Sequence, residues 1–251
     1  IGSFLVNPFV LFIKPDYAIT SSNHTRSITE RSYNIREDQV IEVGTPKTDF
    51  LLSPNNADFY LANEETIKEW ADFRGKKLIL FLPTWRSDPN FDLFGFGFDL
   101  QRINALLERI NAILILNVNP LRQVAHSVPE LNESDNLRYC SYGGNEMNQL
   151  LCKADALITD YSSLFADFLV YNRPIVFASF DHEKYILDRD FFIDYNQLPG
   201  CYAENWNELC ECLVKLFVDG NDSNRIKREK LRDLIYPRLD GKSRERIEQF
   251  V

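Results

Sequence analysis

The chain has 251 residues, 45% of them hydrophobic, enough for one large domain or about two small ones around a packed core. A formal net charge of −9 and a pI near 5.0 argue against a binder of nucleic acid, because affinity for a phosphate backbone comes from clustered Lys and Arg. No run supplies the roughly eighteen uninterrupted apolar residues of a membrane span. The five cysteines, Cys140, Cys152, Cys201, Cys210 and Cys212, lack metal-ligand spacing, and they read as reduced, mostly buried thiols of a cytosolic protein.

The opening Ile1–Ile13 is apolar but interrupted by Asn7 and Pro8, and it reads as core because it has neither a basic leader nor a small-residue cleavage site. With Ile at position 1 and Met147 as the sole methionine, translation is expected to begin upstream. Asp16–Thr20 predicts a short strand, followed by Ser21-Ser22-Asn23-His24 heading a helix through about Tyr33. Val40–Val43 predicts a second strand, and Gly44–Asp49 a turn. A helix over Glu64–Phe73, capped by Asn63 and ended by Gly75, precedes a buried-type strand Lys77–Leu82 that stops at Pro83.

From there strands and helices alternate. Helices are expected over Asp99–Asn111, Leu121–Ser127, Asn145–Cys152, Ser162–Tyr171 and Glu204–Val218. Strands are expected over Ala112–Val118, Leu137–Cys140, Ala156–Thr159 and Ile175–Ala178. Repeated units of this size predict an α/β fold with a Rossmann-type, doubly wound parallel sheet. Ligands of such sheets bind at the carboxyl ends of the strands, where Thr84, Asn119 and Asp160 would lie. The final Asn221–Val251 is charged and helical in period, divided at Pro237 and Gly241. Its basic residues Arg225, Lys227, Arg228, Lys230 and Arg232 alternate with Ile226, Leu231 and Leu234 and read as the wet face of a helix.

The segment Ala154–Pro174 carries the most chemistry. It reads as strand, phosphate-sized turn and helix, with Thr159-Asp160-Tyr161-Ser162-Ser163 placing hydroxyls and backbone N–H groups where the helix begins. That position suits an anion such as a diphosphate. Asp160 or Ser162 acting as an ordinary helix cap is the plainer reading of the same residues.

Three motifs in matching order resemble the CDP-glycerol glycerophosphotransferase family, the teichoic-acid and capsule polyol-phosphate polymerases. Asp155–Asp181 with Tyr185, Arg189 and Asp194…Pro199-Gly200 is similar to the family signature. Leu82-Pro83-Thr84-Trp85-Arg86 resembles its PTxR segment, and Val43–Asp49 its G-x-P-[RK]-x-D turn. The resemblance implies a GT-B-like fold. Residues 1–75 would be the end of a preceding acceptor-side α/β domain and a linker, residues 76–220 the nucleotide-donor domain, and residues 221–251 helices packing back across both.

The resemblance further implies transfer of glycerol phosphate, or a related polyol or sugar phosphate, from a CDP-activated donor to a polymer or lipid-linked hydroxyl acceptor. No cofactor is expected, and the location would be cytoplasmic, at most peripheral to the membrane. Arg86 is a candidate phosphate clamp, with pairing to an acid as its alternative. Thr84, Thr159, Asp160, Ser162 and Ser163 are candidates for the diphosphate, and Tyr142 with Gly143 and Gly144 for the cytosine. Asp181 and Tyr185 match D-x-x-x-Y and are placed to contact donor or acceptor, unless Asp181 only caps a short helix from His182. Asp167 also matches but reads as a structural acceptor within a helix.

The sequence departs from the family pattern at the expected His-Pro dipeptide. Asn117-Val118-Asn119-Pro120 puts Asn117 and Asn119 where a basic residue and the histidine would stand. An amide donates hydrogen bonds but does not shuttle protons near neutral pH. The family's His-Gly-Thr segment is absent too, and His24, His126 and His182 match neither motif. Two further readings stay open: a GT-B enzyme using another nucleotide sugar, and a catalytically silent nucleotide-binding module.

Overall fold

The computed structural model describes residues 15–53, 73, 75–84, 86, 88, 91–117, 134–140, 144–186 and 193–250. The helices expected before Gly75 and over Leu121–Ser127 lie outside the described residues, as do Ile1–Ile13, Asn119, Tyr142 and Arg189.

The chain begins with a small β-α-β unit. Strand β1 (Ala18–Thr20) pairs in parallel with β2 (Val40–Glu42), Ala18 opposite Val40 and Thr20 opposite Glu42. Helix α1 (Asn23–Tyr33) connects them. It starts where it does because Ser22 and Thr25 form a reciprocal cap: the Ser22 side chain accepts from the Thr25 N–H, and the Thr25 hydroxyl accepts from the Ser22 N–H. Beyond β2 the turn expected over Gly44–Asp49 is confined to Gly44 and Thr45, and Pro46 opens helix α2 (Pro46–Leu52). Proline at the first helical position lacks an N–H that would be unpaired there, and its fixed φ suits the helix.

The larger unit is a six-stranded, wholly parallel sheet. Its strands are β3 (Lys77–Leu82), β4 (Ala112–Asn117), β5 (Leu137–Cys140), β6 (Ala156–Thr159), β7 (Ile175–Ala178) and β8 (Cys201–Ala203), in the order β5-β4-β3-β6-β7-β8. Between them run α3 (Leu100–Arg109), α4 (Gly144–Lys153), α5 (Leu164–Leu169) and α6 (His182–Ile186), and α7 (Trp206–Phe217), α8 (Arg225–Ile235) and α9 (Ser243–Phe250) follow the last strand. Helix α5 is shorter than the span expected over Ser162–Tyr171, because turns occupy both ends. Strand β8 was not anticipated.

Both faces of the sheet are covered, which explains the unbroken apolar runs. Alternate residues of β3 divide between two cores. Ile79 and Phe81 face α3 and α7, packing with Leu107, Trp206 and Leu209. Leu78, Leu80 and Leu82 face α4 and α5, packing with Leu150, Phe165 and Phe168. Just before β8, a Cβ on Gly200 would lie 2.6 Å from the Phe177 ring and 2.7 Å from the Ile175 carbonyl, so only glycine fits that approach.

Cys201 and Cys212 are joined in a disulfide, which corrects the expectation of five reduced thiols. Helix α7 folds back over the strand it follows and brings these residues to a Cα separation of 6.0 Å. Cys140, Cys152 and Cys210 are free.

The end of the chain returns to its beginning. The buried Asp49 carboxylate of α2 accepts from the Ser243 and Arg244 N–H groups at 3.0 and 2.8 Å, satisfying the start of α9. Phe50 and Leu51 pack against Val170, and the Leu51 carbonyl accepts from the Tyr171 hydroxyl at 2.9 Å.

Candidate functional site

The chain leaves β3 outward through β4 and β5, then crosses back to build β6, β7 and β8 on the other side. The ends of β3 and β6 therefore flank the topological switch point, where open α/β sheets take their ligands. Pro83 stops β3 because it has no N–H for the ladder. At the end of β6 the fully buried Thr159 turns its hydroxyl onto the Leu82 carbonyl at 2.9 Å, knitting the two strands. The next residue on each side then meets across the gap. Asp160, 2% exposed, accepts from the Thr84 N–H at 2.8 Å and from the Thr84 hydroxyl at 2.5 Å.

Arg86 extends this link. Its Nη2 lies 2.8 Å from Asp160 Oδ2, and its Nε and Nη2 donate to the two oxygens of Asp181 at 2.6 and 2.8 Å. Its Nη1 donates to the Thr84 carbonyl at 2.6 Å. Three rings enclose the guanidinium: Phe91 and Tyr185 with centroids at 4.8 Å and Tyr161 at 5.0 Å. Burial works to lower the Arg86 pKa, but the hydrogen bond to Asp181 and the charges of Asp160 and Asp181 outweigh it and raise it above the usual guanidinium range. Tyr161 stacks on Tyr185 at 3.8 Å and donates from its hydroxyl to Asp181 at 3.3 Å. Burial, reinforced by the Asp181 charge, pushes its pKa well up, so it stays a neutral donor.

The sequence-predicted residues thus fall into groups. Thr84, Arg86, Asp160 and Asp181 are brought into one connected network. Thr159 lies beneath it with its hydroxyl already engaged. Ser162 caps the following turn, its Oγ accepting from the Leu164 N–H at 3.2 Å, and Ser163 is exposed. Asp160 does not cap α5. Asp181 meets α6 through its backbone carbonyl, which accepts from the Lys184 and Tyr185 N–H groups, while its carboxylate accepts from Arg86. Asp167 accepts from Lys47 of α2 at 2.6 Å, and Asn117 ends β4 opposite Cys140. Asn119 and Tyr142 lie outside the described residues.

Sequence reasoning missed Phe91 and Tyr195. Phe91 belongs to a segment with four phenylalanines in eight residues, Phe91–Phe98, whose other rings pack on Trp206 and Phe180. That aromatic density was the available signal. Tyr195 lies in a 3-10 turn and places its ring 5.2 Å from Tyr161 and 5.0 Å from His182. Among the described residues no group of three or more His, Cys, Asp or Glu is placed to hold a metal ion. No helix among them is long and apolar enough to cross a membrane.

Comparison with known proteins bears on the family and the fold. The chain is 28% identical over 233 residues to the teichoic acid ribitol-phosphate polymerase TarK of Staphylococcus aureus, covering 92% of this chain and 44% of that protein. It is 28% identical over 246 residues to the teichoic acid glycerol-phosphate transferase of the same organism, covering 94% of this chain and 60% of the relative. The chain thus spans about half the length of these relatives. A structure of the wall teichoic acid polymerase TagF superimposes with a TM-score of 0.76 at 25% identity, over 94% of this chain and 57% of that one. The fold is GT-B-like. Residues 12–251 match the family described as CDP-glycerol:poly(glycerophosphate) glycerophosphotransferase. With that match running through the switch-point network and on to the final helix, the chain belongs to this family.

Proposed function

We propose that this chain is the donor-binding part of a transferase that moves glycerol phosphate, or a related polyol or sugar phosphate, from a CDP-activated donor to a hydroxyl acceptor in teichoic-acid or capsular polymer synthesis. The observation that carries the reading is the Thr84–Asp160 link across the switch point of a family member's sheet. The acceptor would be a polymer or lipid-linked hydroxyl, and the setting the cytoplasm or the inner membrane face.

In this reaction the acceptor oxygen forms a bond to the transferred phosphorus, and the bond from that phosphorus to the oxygen of CMP breaks. CMP leaves with the electron pair, and the acceptor proton goes to a base. In this reading backbone N–H groups at Ser162 and Ser163 hold the diphosphate and offset charge arriving on the leaving phosphate. Tyr142 and its loop meet the cytosine. Asn119 donates a hydrogen bond to a phosphate oxygen but does not take the proton, which passes to water without the general base that a histidine there would supply.

The experiment is a thermal-shift panel of CDP-glycerol and CDP-ribitol against UDP- and GDP-sugars. A ligand at one hundred times its dissociation constant adds about 2.7 kcal/mol, visible as a raised Tm. Stabilisation by the CDP compounds supports the reading, and selective stabilisation by UDP or GDP sugars redirects it to another GT-B enzyme.

Asn119 favours a second reading, a nucleotide-binding module that keeps the fold without turnover. Under the transferase reading, Asn119→His raises transfer in the full-length protein by about a hundredfold or more. Transfer that stays absent in that variant supports the silent module.

A further inference from the structure

The Arg86 guanidinium stands at the mouth of the sheet, where a cation would be expected to grip a diphosphate. Its surroundings argue for a different task. The hydrogen bonds and ion pair to Asp181, Asp160 and the Thr84 carbonyl account for four of the five N–H donors a guanidinium carries. Its side chain and that of Asp181 are each 9% exposed. The three rings around it shut out solvent from its faces. Turning Arg86 toward a ligand would leave two buried carboxylates without their cation, a loss that one new phosphate contact does not offset.

The partners show what the contact holds instead. Asp160 belongs to the turn after β6, Asp181 to the start of α6, and Thr84 to the segment leaving β3. One side chain therefore fixes three separate segments at the carboxyl edge of the sheet. Asp88 gives the same segment a second tie, an exposed ion pair to Lys184 of α6 at 3.2 Å.

We propose that Arg86 and Asp181 are a positioning pair: Asp181 orients the Arg86 fork, and Arg86 locks Thr84 and Phe91 to the turn after β6, shaping the nucleotide cleft without binding the diphosphate. This rests on the donor-site reading above. It also assigns separate tasks to two neighbouring elements, with the β6 turn meeting the ligand and the PTxR segment holding the turn in place. Lysine does not reproduce Arg86, because an ammonium lacks the planar fork that engages both Asp181 oxygens while also meeting Asp160.

The test compares wild type, Asp181→Asn, Arg86→Lys and the double variant, each confirmed as folded by circular dichroism, with Asp181→Glu as the conservative control. CDP-glycerol affinity is measured by titration calorimetry, and amide exchange of the peptide spanning 82–92 by mass spectrometry without ligand. Expected are an affinity loss of about 10- to 100-fold in either single variant, as the ligand-meeting turn is displaced, no further loss in the double variant, and partial rescue by Asp181→Glu. Exchange should accelerate in 82–92 while β4 and α3 keep their protection.

Tighter CDP-glycerol binding by Asp181→Asn would mean that Arg86 had been released to grip the phosphate, and would overturn the proposal. Additive losses in the double variant would do the same, as would unchanged exchange over 82–92. Should wild type bind no CDP-glycerol, the donor-site reading fails, and the exchange measurement alone decides whether the pair locks the segment.

Discussion

Lys47 and Asp167, 120 residues apart in the chain, meet in an ion pair of 2.6 Å that joins helix α2 of the first unit to helix α5 of the large sheet. The partners are unequal. The Lys47 side chain is 44% exposed, while that of Asp167 is mostly buried. Burial raises the Asp167 pKa above the usual aspartate value, and Lys47 pulls it back only in part.

That imbalance fixes the sign of a pH effect. An acid whose folded pKa is raised binds its proton more tightly in the folded state, so its contribution to stability falls as pH rises from the unfolded pKa through the folded one. Lys47→Met removes the opposing charge and raises the Asp167 pKa further. The expected cost is smaller at about pH 4, because the raised pKa lets the carboxyl protonate more readily, and about 1–2 kcal/mol at pH 7, where a buried carboxylate loses its cation. Urea denaturation of wild type and variant at the two pH values measures it. A cost that shrinks with rising pH would contradict the assignment.

Gly44 should tolerate no side chain. Its φ is +91°, and an added Cβ would lie 2.4 Å from Ser243 Oγ, so Gly44→Ala combines backbone strain with displacement of α9 from α2. A loss of about 1–3 kcal/mol is expected. Limited proteolysis should show faster cleavage within 237–250 than in the sheet. Asp49→Asn should act on the same joint more mildly, because one amide oxygen replaces two carboxylate oxygens that each cap a separate N–H.

The Cys201–Cys212 disulfide closes a short loop between β8 and α7. Titration of thiols in the unfolded, unreduced protein should find three of the five cysteines reactive, Cys140, Cys152 and Cys210. Reductant should lower stability by about 2–3 kcal/mol, and Cys201→Ala should lower it comparably and abolish the response to reductant. Five reactive thiols would restore the expectation drawn from cysteine spacing.

How far the fold could be read from the sequence depended on burial. Strands β3, β4, β6 and β7 are apolar runs covered on both faces, and they stand where their composition puts them. Strand β8 is a three-residue edge strand, Cys201-Tyr202-Ala203, too short to leave a pattern. Gly44 and Pro46 signal a turn where helix α2 stands, because the proline that marks a turn also suits the first helical position it occupies here. Thr84 and Asp160 could be picked out as polar residues just after strands, and Arg86 and Asp181 through the motifs that resemble the family's. Their mutual engagement could not, since Arg86 and Asp181 are 95 residues apart and only the strand order brings them together. The disulfide was hidden in the same way, because spacing alone does not show that α7 folds back over β8.

A crystal structure of this chain with CDP-glycerol bound is the most direct measurement. The account predicts the diphosphate at the carboxyl ends of β3 and β6, within hydrogen-bond reach of the Ser162 and Ser163 N–H groups, with Arg86 still paired to Asp160 and Asp181. A diphosphate bound elsewhere, or Arg86 swung out of its aromatic enclosure to hold it, would contradict the account.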